Sequence, residues 1–276
     1  MTPAAEPLFL ERGDARLFAL LHLPAGPCRG AVLYLHPFAE EMNKARRMAA
    51  LQARALAADG HAVLLLDLHG CGDSSGDFGD ASWDGWLDDV AHASRWLHAR
   101  CGQPVTLWGL RLGALLALAQ ARRDPSIAGL LLWQPVTGGA AHLTQFLRLK
   151  VASAMFGDGR DGGGTGALRA ALSAGETLEI AGYPLAPALA LGIEAQDAAS
   201  LLPSCPVAWL EVSKDPARGL LPASTRVIDA WRAAGADVDA QVLAGEPFWA
   251  TQEIAECTAL LTASVAALAP REDCHA

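Results

Sequence analysis

A chain of 276 residues with 52% apolar side chains can build one large α/β domain with an insertion, and that composition excludes a disordered chain. Its 30 acidic and 21 basic residues give a formal charge of −9, and no long basic run is present, which argues against a nucleic-acid partner. No uncharged apolar stretch of about 18 residues suggests a membrane span, and the six cysteines are scattered without a CxxC pair. Reduced, buried thiols in a cytoplasmic protein are therefore expected, with no metal and no cofactor.

The N-terminal MTPAAEPLFLERGDARL lacks a basic segment followed by an apolar one, so no secretory leader is expected there. ARLFALLHLP predicts a strand over 16–23, and the residues before it can pair with it as an antiparallel edge. A strand over 31–35 then leads into a loop carrying His36, Glu40 and Glu41, followed by a helix over 43–58. Its basic run, Lys44, Arg46 and Arg47, reads as a solvated face. AVLLLDL predicts a strand over 62–68 covered on both faces, as in a parallel sheet. A helix over 83–99, a strand over 105–108, a helix over 112–123 and a strand over 127–133 continue the alternation.

The alternation stops between about 136 and 203. That stretch holds GDGRDGGGTG (157–166), which is flexible in composition and lacks the Gly-Lys-Ser/Thr ending of a phosphate-binding loop. An amphipathic stretch follows, and then TLEIAGYPL, which suggests a strand and turn. Lying between strands of the main sheet, residues 136–203 read as a cap or lid over the carboxyl ends of those strands. Residues 1–135 and 204–270 then form the core. A strand over 207–212, a helix over 220–234, a strand over 238–243 and a helix over 251–268 complete it, with 271–276 as a disordered tail. Strand and helix in regular alternation predict an α/β fold with a doubly wound, mostly parallel sheet.

WGLRLGA (108–114) sits where a strand runs into a helix, with glycines at 109 and 113. That spacing fits a nucleophile elbow, in which strand and helix backbones approach closely and the central residue is held up in a strained conformation. Here the central residue is Arg111. In the same chain order an acid is expected after a late strand, where Asp215 stands in VAWLEVSKDP. A base is expected before the last helix, where LAGEPFWAT offers Glu246 and Pro247. No histidine occurs between His142 and His275. A Ser-His-Asp relay needs an imidazole to take up and return the serine proton, so the ordinary triad is expected to be absent.

HPFAEEMNKARRM (36–48), DLHGCGDSSGDF (67–78), LWGLRLGALL (107–116) and the GYPLAPAL and GEPFWA segments resemble the α/β-hydrolase superfamily. Within it they resemble the group called exosortase A system-associated hydrolase 2. The resemblance spans most of residues 30 to 250. It implies an α/β-hydrolase fold, a cytoplasmic protein of an exopolysaccharide and exosortase protein-sorting system, and nominally hydrolase chemistry of the ester or acyl class.

Arg111 needs its own account, because a guanidinium at the start of a helix is unfavourable without a nearby anion. Glu40, Glu41 or Asp215 would make it an internal ion pair. A carboxylate, phosphate or sulfate ligand would make it a binding residue, with Glu40, Glu41, His36, Leu112, Glu246 and Trp249 as further ligand-binding candidates. A third alternative directs Arg111 simply into solvent. Cys71 would be reactive only beside a base, and Ser74 and Ser75 fit turn roles. Two functions follow. One is a catalytically degenerate binding protein for a small anionic or acylated ligand or a pathway protein partner, with homodimerisation left open. The other is a hydrolase or acyl transferase in which Glu40, Glu41 or Glu246 directs a water, or in which an unconventional nucleophile attacks.

Overall fold

The computed structural model describes residues 5–156 and 164–269. Most of the glycine-rich stretch and the 271–276 tail thus lie outside the described residues. Strands β1 (Ala5–Arg12) and β2 (Ala15–His22) form an antiparallel hairpin at one edge of an eight-stranded sheet. β3 (Gly30–Leu35), α1 (Glu40–Ala58), β4 (His61–Leu66), α2 (Trp83–Cys101), β5 (Val105–Leu110), α3 (Leu112–Arg123) and β6 (Gly129–Trp133) follow in strict alternation. After an excursion the chain rejoins the sheet as β9 (Val207–Ser213), α7 (Pro222–Ala233), β10 (Val238–Ala244) and α8 (Thr258–Ala267). The strand order is β1-β2-β4-β3-β5-β6-β9-β10, parallel from β4 to β10.

Period-two side-chain alternation sorts each central strand between two cores. Ala31, Leu33 and Leu35 of β3 join the core under α2, α3 and α7. Val32 and Tyr34 join the opposite core under α1 and α8. Trp108 belongs to the second core, fully buried between Tyr34 and Trp133 at ring distances of 4.3 and 4.7 Å.

Two boundaries differ from the sequence expectation by three residues or more. α1 starts at Glu40, so Glu40 and Glu41 form its first turn instead of a loop. Carboxylates are favourable at that end of a helix dipole. α8 starts at Thr258 although the apolar pattern suggests 251. Glu256 reaches Arg47, and the Cys257 amide faces the Met48 sulfur at 3.4 Å, so contacts with α1 hold residues 251–257 out of the helix.

Between β6 and β9 lie α4 (Gly139–Phe156), α5 (Thr165–Ser173), a hairpin of β7 (Leu178–Ile180) and β8 (Tyr183–Leu185), and α6 (Pro187–Glu194). Ala181 and Gly182 both take positive φ, the tight two-residue turn suited to a hairpin. No described helix is long and apolar enough to cross a membrane.

Candidate functional site

The chain goes from β3 through α1 to β4 on one side, then through α2 to β5 on the other. The crevice between the carboxyl ends of β3 and β5 is therefore the point where strand order reverses, the position at which open α/β sheets bind ligands. Leu35 pairs with Gly109 there, so the loops after both strands face one another.

Arg111 is the N-cap of α3 at φ 57°, ψ −115°. The turn is fastened by backbone bonds from its amide to Trp133 O at 3.0 Å and from Val136 N to its carbonyl at 3.2 Å. Both glycines are required by contact. A Cβ on Gly109 would lie 2.4 Å from Gly113 O, and one on Gly113 would lie 2.2 Å from Leu35 O. Ala39, the N-cap of α1, has nearly the same backbone at φ 51°, ψ −126°. Two helices thus spring from adjacent strands through matching strained turns. Nothing in HPFAEE marks the second one, because no glycine stands there.

The paired turns bring Arg111 and Glu41 together, Nε to Oε1 at 3.3 Å, each side chain 19% exposed. This is the only hydrogen-bonded partner of the guanidinium among the described residues. The contact uses one nitrogen and leaves the two terminal amino groups open. The Glu41 Oε2 atom is buried with no partner. Burial pushes the Glu41 carboxyl above its ordinary value, against the opposing pull of Arg111. Trp249 lies beneath the guanidinium, 5.7 Å from carbon to ring centre.

Other candidates stand apart from this group. His36 is fully committed to backbone: Nδ1 donates to Pro37 O at 2.8 Å and Nε2 accepts from Leu68 N at 3.3 Å. Glu40 faces Lys44 at 3.9 Å, Glu246 pairs with Lys214 at 2.8 Å, and Asp215 pairs with Arg218 at 3.2 Å. Pro247 forms a turn in which its carbonyl accepts from Ala250 N at 2.8 Å. Leu112 is the buried first residue of α3. Burial pushes the Cys71 thiol up to about 12, so it lacks the depressed pKa of a reactive cysteine. Ser74 and Ser75 accept from Phe18 N and Arg16 N, so instead of serving only their own turn they tie it to strand β2. Among the described residues no group of three or more His, Cys, Asp or Glu side chains could hold a metal ion.

Arg111 also lines a cavity of ≈ 160 Å³ between its turn, the start of α4 and the start of α7, with Thr137, His142, Gln145, Leu221 and Ser224. His142 is 9% exposed, and neither ring nitrogen has a hydrogen-bond partner. Burial, reinforced by Arg111, holds its imidazole down to about 3. The sequence gives no cue to this residue, since it lies in the insertion and outside any motif. A second cavity of ≈ 180 Å³ opens between α1, β2 and β4. Its two charged groups, Arg46 and Asp67, bond each other at 3.3 Å, so it offers no free charge to a ligand.

A family model described as serine aminopeptidase, S33, matches residues 26–171, more than half of the chain. No curated protein matches the chain. Among solved structures, Est1E from Butyrivibrio proteoclasticus with bound ferulic acid is similar at 17% identity and TM-score 0.68, covering 94% of this chain and 96% of that one. The proline iminopeptidase-related protein from Thermus thermophilus is similar at 20% identity and TM-score 0.61, covering 96% and 98%. An α/β serine hydrolase homologue from Coxiella burnetii is similar at 15% identity and TM-score 0.57, covering 96% and 97%. At such identities the likeness is one of fold.

Proposed function

Because the chain belongs to the serine aminopeptidase S33 family of α/β hydrolases, and because its elbow carries arginine where that chemistry needs a nucleophile, we propose that it is a binding protein built on a hydrolase fold. Its ligand is a small anionic or acylated molecule, held at the elbow by Arg111. The observation that carries this reading is the Arg111 guanidinium, presented by a strained turn at a helix start with only Nε engaged. An anion there gains from both the guanidinium and the first-turn N–H groups. Residues 136–203 act as the cap over this site. The resemblance of HPFAEEMNKARRM and GLRLGA to exosortase A system-associated hydrolase 2 supports a cytoplasmic role in an exopolysaccharide and protein-sorting system.

Calorimetric titration with propionate and with inorganic phosphate tests the anchor. At least one is expected to bind, and Arg111→Met should weaken it tenfold or more. Binding unchanged in Arg111→Met would remove Arg111 from the site.

The buried, unpartnered Oε2 of Glu41, on a carboxyl raised by burial, supports one second reading. A carboxylate tuned upward can orient and deprotonate a water. A panel of acyl esters of increasing chain length separates the two. The binding reading expects no turnover above buffer. Turnover abolished by Glu41→Gln but kept in Cys71→Ala would establish the water-directing hydrolase instead.

A further inference from the structure

The cavity beside α1 lies where the antiparallel hairpin carries the sheet past that helix. Phe18 and Leu20 of β2 point to the α1 side, since Leu17, Ala19 and Leu21, which alternate with them, belong to the opposite core. Leu20 pairs with Leu65 of β4, and these three side chains form one wall. Met42, Ala49 and Ala50 of α1 form the other, and the short alanine side chains leave a space of ≈ 180 Å³ between helix and strands. Phe18, Leu20, Leu65 and Ala50 are only half-buried, so the space opens outward. Engineered apolar cavities of about 150 Å³ take up benzene, so the volume admits a small organic molecule and not only water.

Its floor carries two polar atoms that the protein leaves open. The Tyr34 ring packs against Trp108 at 4.3 Å, which fixes where its hydroxyl ends. Burial pushes that phenol above its ordinary value, so it stays a neutral hydroxyl. Asp67 turns Oδ2 toward the Gly72 turn, accepting from Asp73 N at 3.1 Å and from Arg46 Nη2 at 3.3 Å. A Cβ on Gly72 would lie 1.9 Å from Oδ2, so turn and carboxylate are fitted to each other. Asp67 Oδ1 and the Tyr34 hydroxyl hydrogen-bond to none of the described residues, yet neither is sealed away as the Gln52 amide and Trp108 Nε1 are. Tyr34 is 5% exposed and Asp67 6%, and both line this cavity, so the cavity is where these atoms open.

The chemistry of an occupant follows. A carboxylate oxygen only accepts, so Asp67 Oδ1 needs a donor, while the Tyr34 hydroxyl has a proton to give and no acceptor from the protein. An alcohol hydroxyl answers both at once. Charge excludes the ions: Arg46 and Asp67 neutralise each other, so neither an ammonium nor a carboxylate finds a free counter-charge.

We infer that this cavity is a second binding site, for a small neutral alcohol whose hydroxyl donates to Asp67 Oδ1 and accepts from Tyr34 while its carbon body lies between β2 and α1. This cavity and the one at Arg111 share no lining residue, so the inference stands independently of the anion-binding reading.

Benzyl alcohol, toluene, benzoate and benzylammonium test it, because they share a ring and a carbon number and differ in hydroxyl and charge. The readout is the Met42 methyl signal of the full chain labelled at its methionine methyl carbons, titrated near neutral pH. Benzyl alcohol should move that signal saturably and bind at least tenfold more tightly than toluene or either ion. Tyr34→Phe removes one hydrogen bond and keeps the ring against Trp108, so it should weaken benzyl alcohol about fivefold and leave toluene within about twofold. Ala50→Leu puts bulk into the mouth and should abolish the movement for both neutral probes. Toluene binding as tightly as the alcohol would make the cavity a plain apolar one and overturns the ligand class, as does tighter binding of either ion. A preference for the alcohol unchanged in Tyr34→Phe, or binding untouched by Ala50→Leu, overturns the placement. No saturable movement with any of the four in the wild-type chain overturns the site itself, whatever the variants do.

Discussion

Arg111 combines two unfavourable features at one position. Positive φ on a residue with a side chain costs about 1–3 kcal/mol, and its cation stands where the α3 dipole already gathers positive charge. Glu41 offsets part of this from the first turn of α1, where the dipole favours it. Replacing Arg111 with methionine leaves that carboxylate buried without a cation, and should cost about 1–3 kcal/mol at neutral pH in urea unfolding. Most of the loss should return in the double variant Arg111→Met, Glu41→Gln. His142 sets a different dependence. Its imidazole is lowered from 6.5 to about 3 in the folded chain, so below pH 6.5 the unfolded state takes up a proton that the folded state refuses. Stability from this group is complete above 6.5 and is lost as pH falls toward 3, by about 1.4 kcal/mol per pH unit. His142→Phe should remove that slope from unfolding free energies measured between pH 6 and 4. An acid limb identical in both proteins would mean that His142 protonates in place.

At the scale of elements, the turn at 109–113 could be read from the sequence because close backbone approach leaves a mark: only glycine fits at both ends. Gly113→Ala drives a methyl group against the Leu35 carbonyl and must part α3 from β3. A loss of about 1–3 kcal/mol is expected, which lowers the melting temperature by roughly 2–4 °C per kcal/mol for a domain near this size. Gly166→Ala, in α5 with open space around it, should instead raise stability by up to about 1 kcal/mol through helix propensity. Melting curves that rank the two variants alike would refute the steric account. The matching turn at Ala39 leaves no such mark, since alanine is an ordinary residue and nothing in its type announces a φ of 51°. The start of α8 was hidden for a related reason. Residues 251–257 carry a helical pattern, yet contacts with Arg47 and Met48 on α1, some two hundred positions away, outweigh it.

For the whole molecule, alternation of apolar strands and amphipathic helices was enough to predict a doubly wound, mostly parallel sheet, while the strand order that puts the switch point between β3 and β5, beside Arg111, shows only in the folded chain. How the insertion docks was not legible, because the docking residues share no period or motif. Phe38, Phe78, Phe146 and Tyr183 come from four separate segments and meet only in the folded chain. We expect that cluster to limit what kind of ligand fits, because Phe38 packs against His142 of the cavity beside Arg111. Had the space above the elbow been open, a chain of methylene groups would contribute about 0.8 kcal/mol each on burial, and affinity would climb with acyl length. With the space filled, octanoate should bind the wild-type chain no more tightly than propionate. Phe146→Ala should cost about 3–5 kcal/mol of stability through the apolar cavity it leaves beside Phe38, the ring that packs against His142 of the Arg111 cavity. Octanoate should therefore raise the melting temperature of Phe146→Ala more than that of the wild type, while propionate treats the two alike. If octanoate already stabilises the wild-type chain far more than propionate does, the insertion opens in solution and acylated molecules are its ligands.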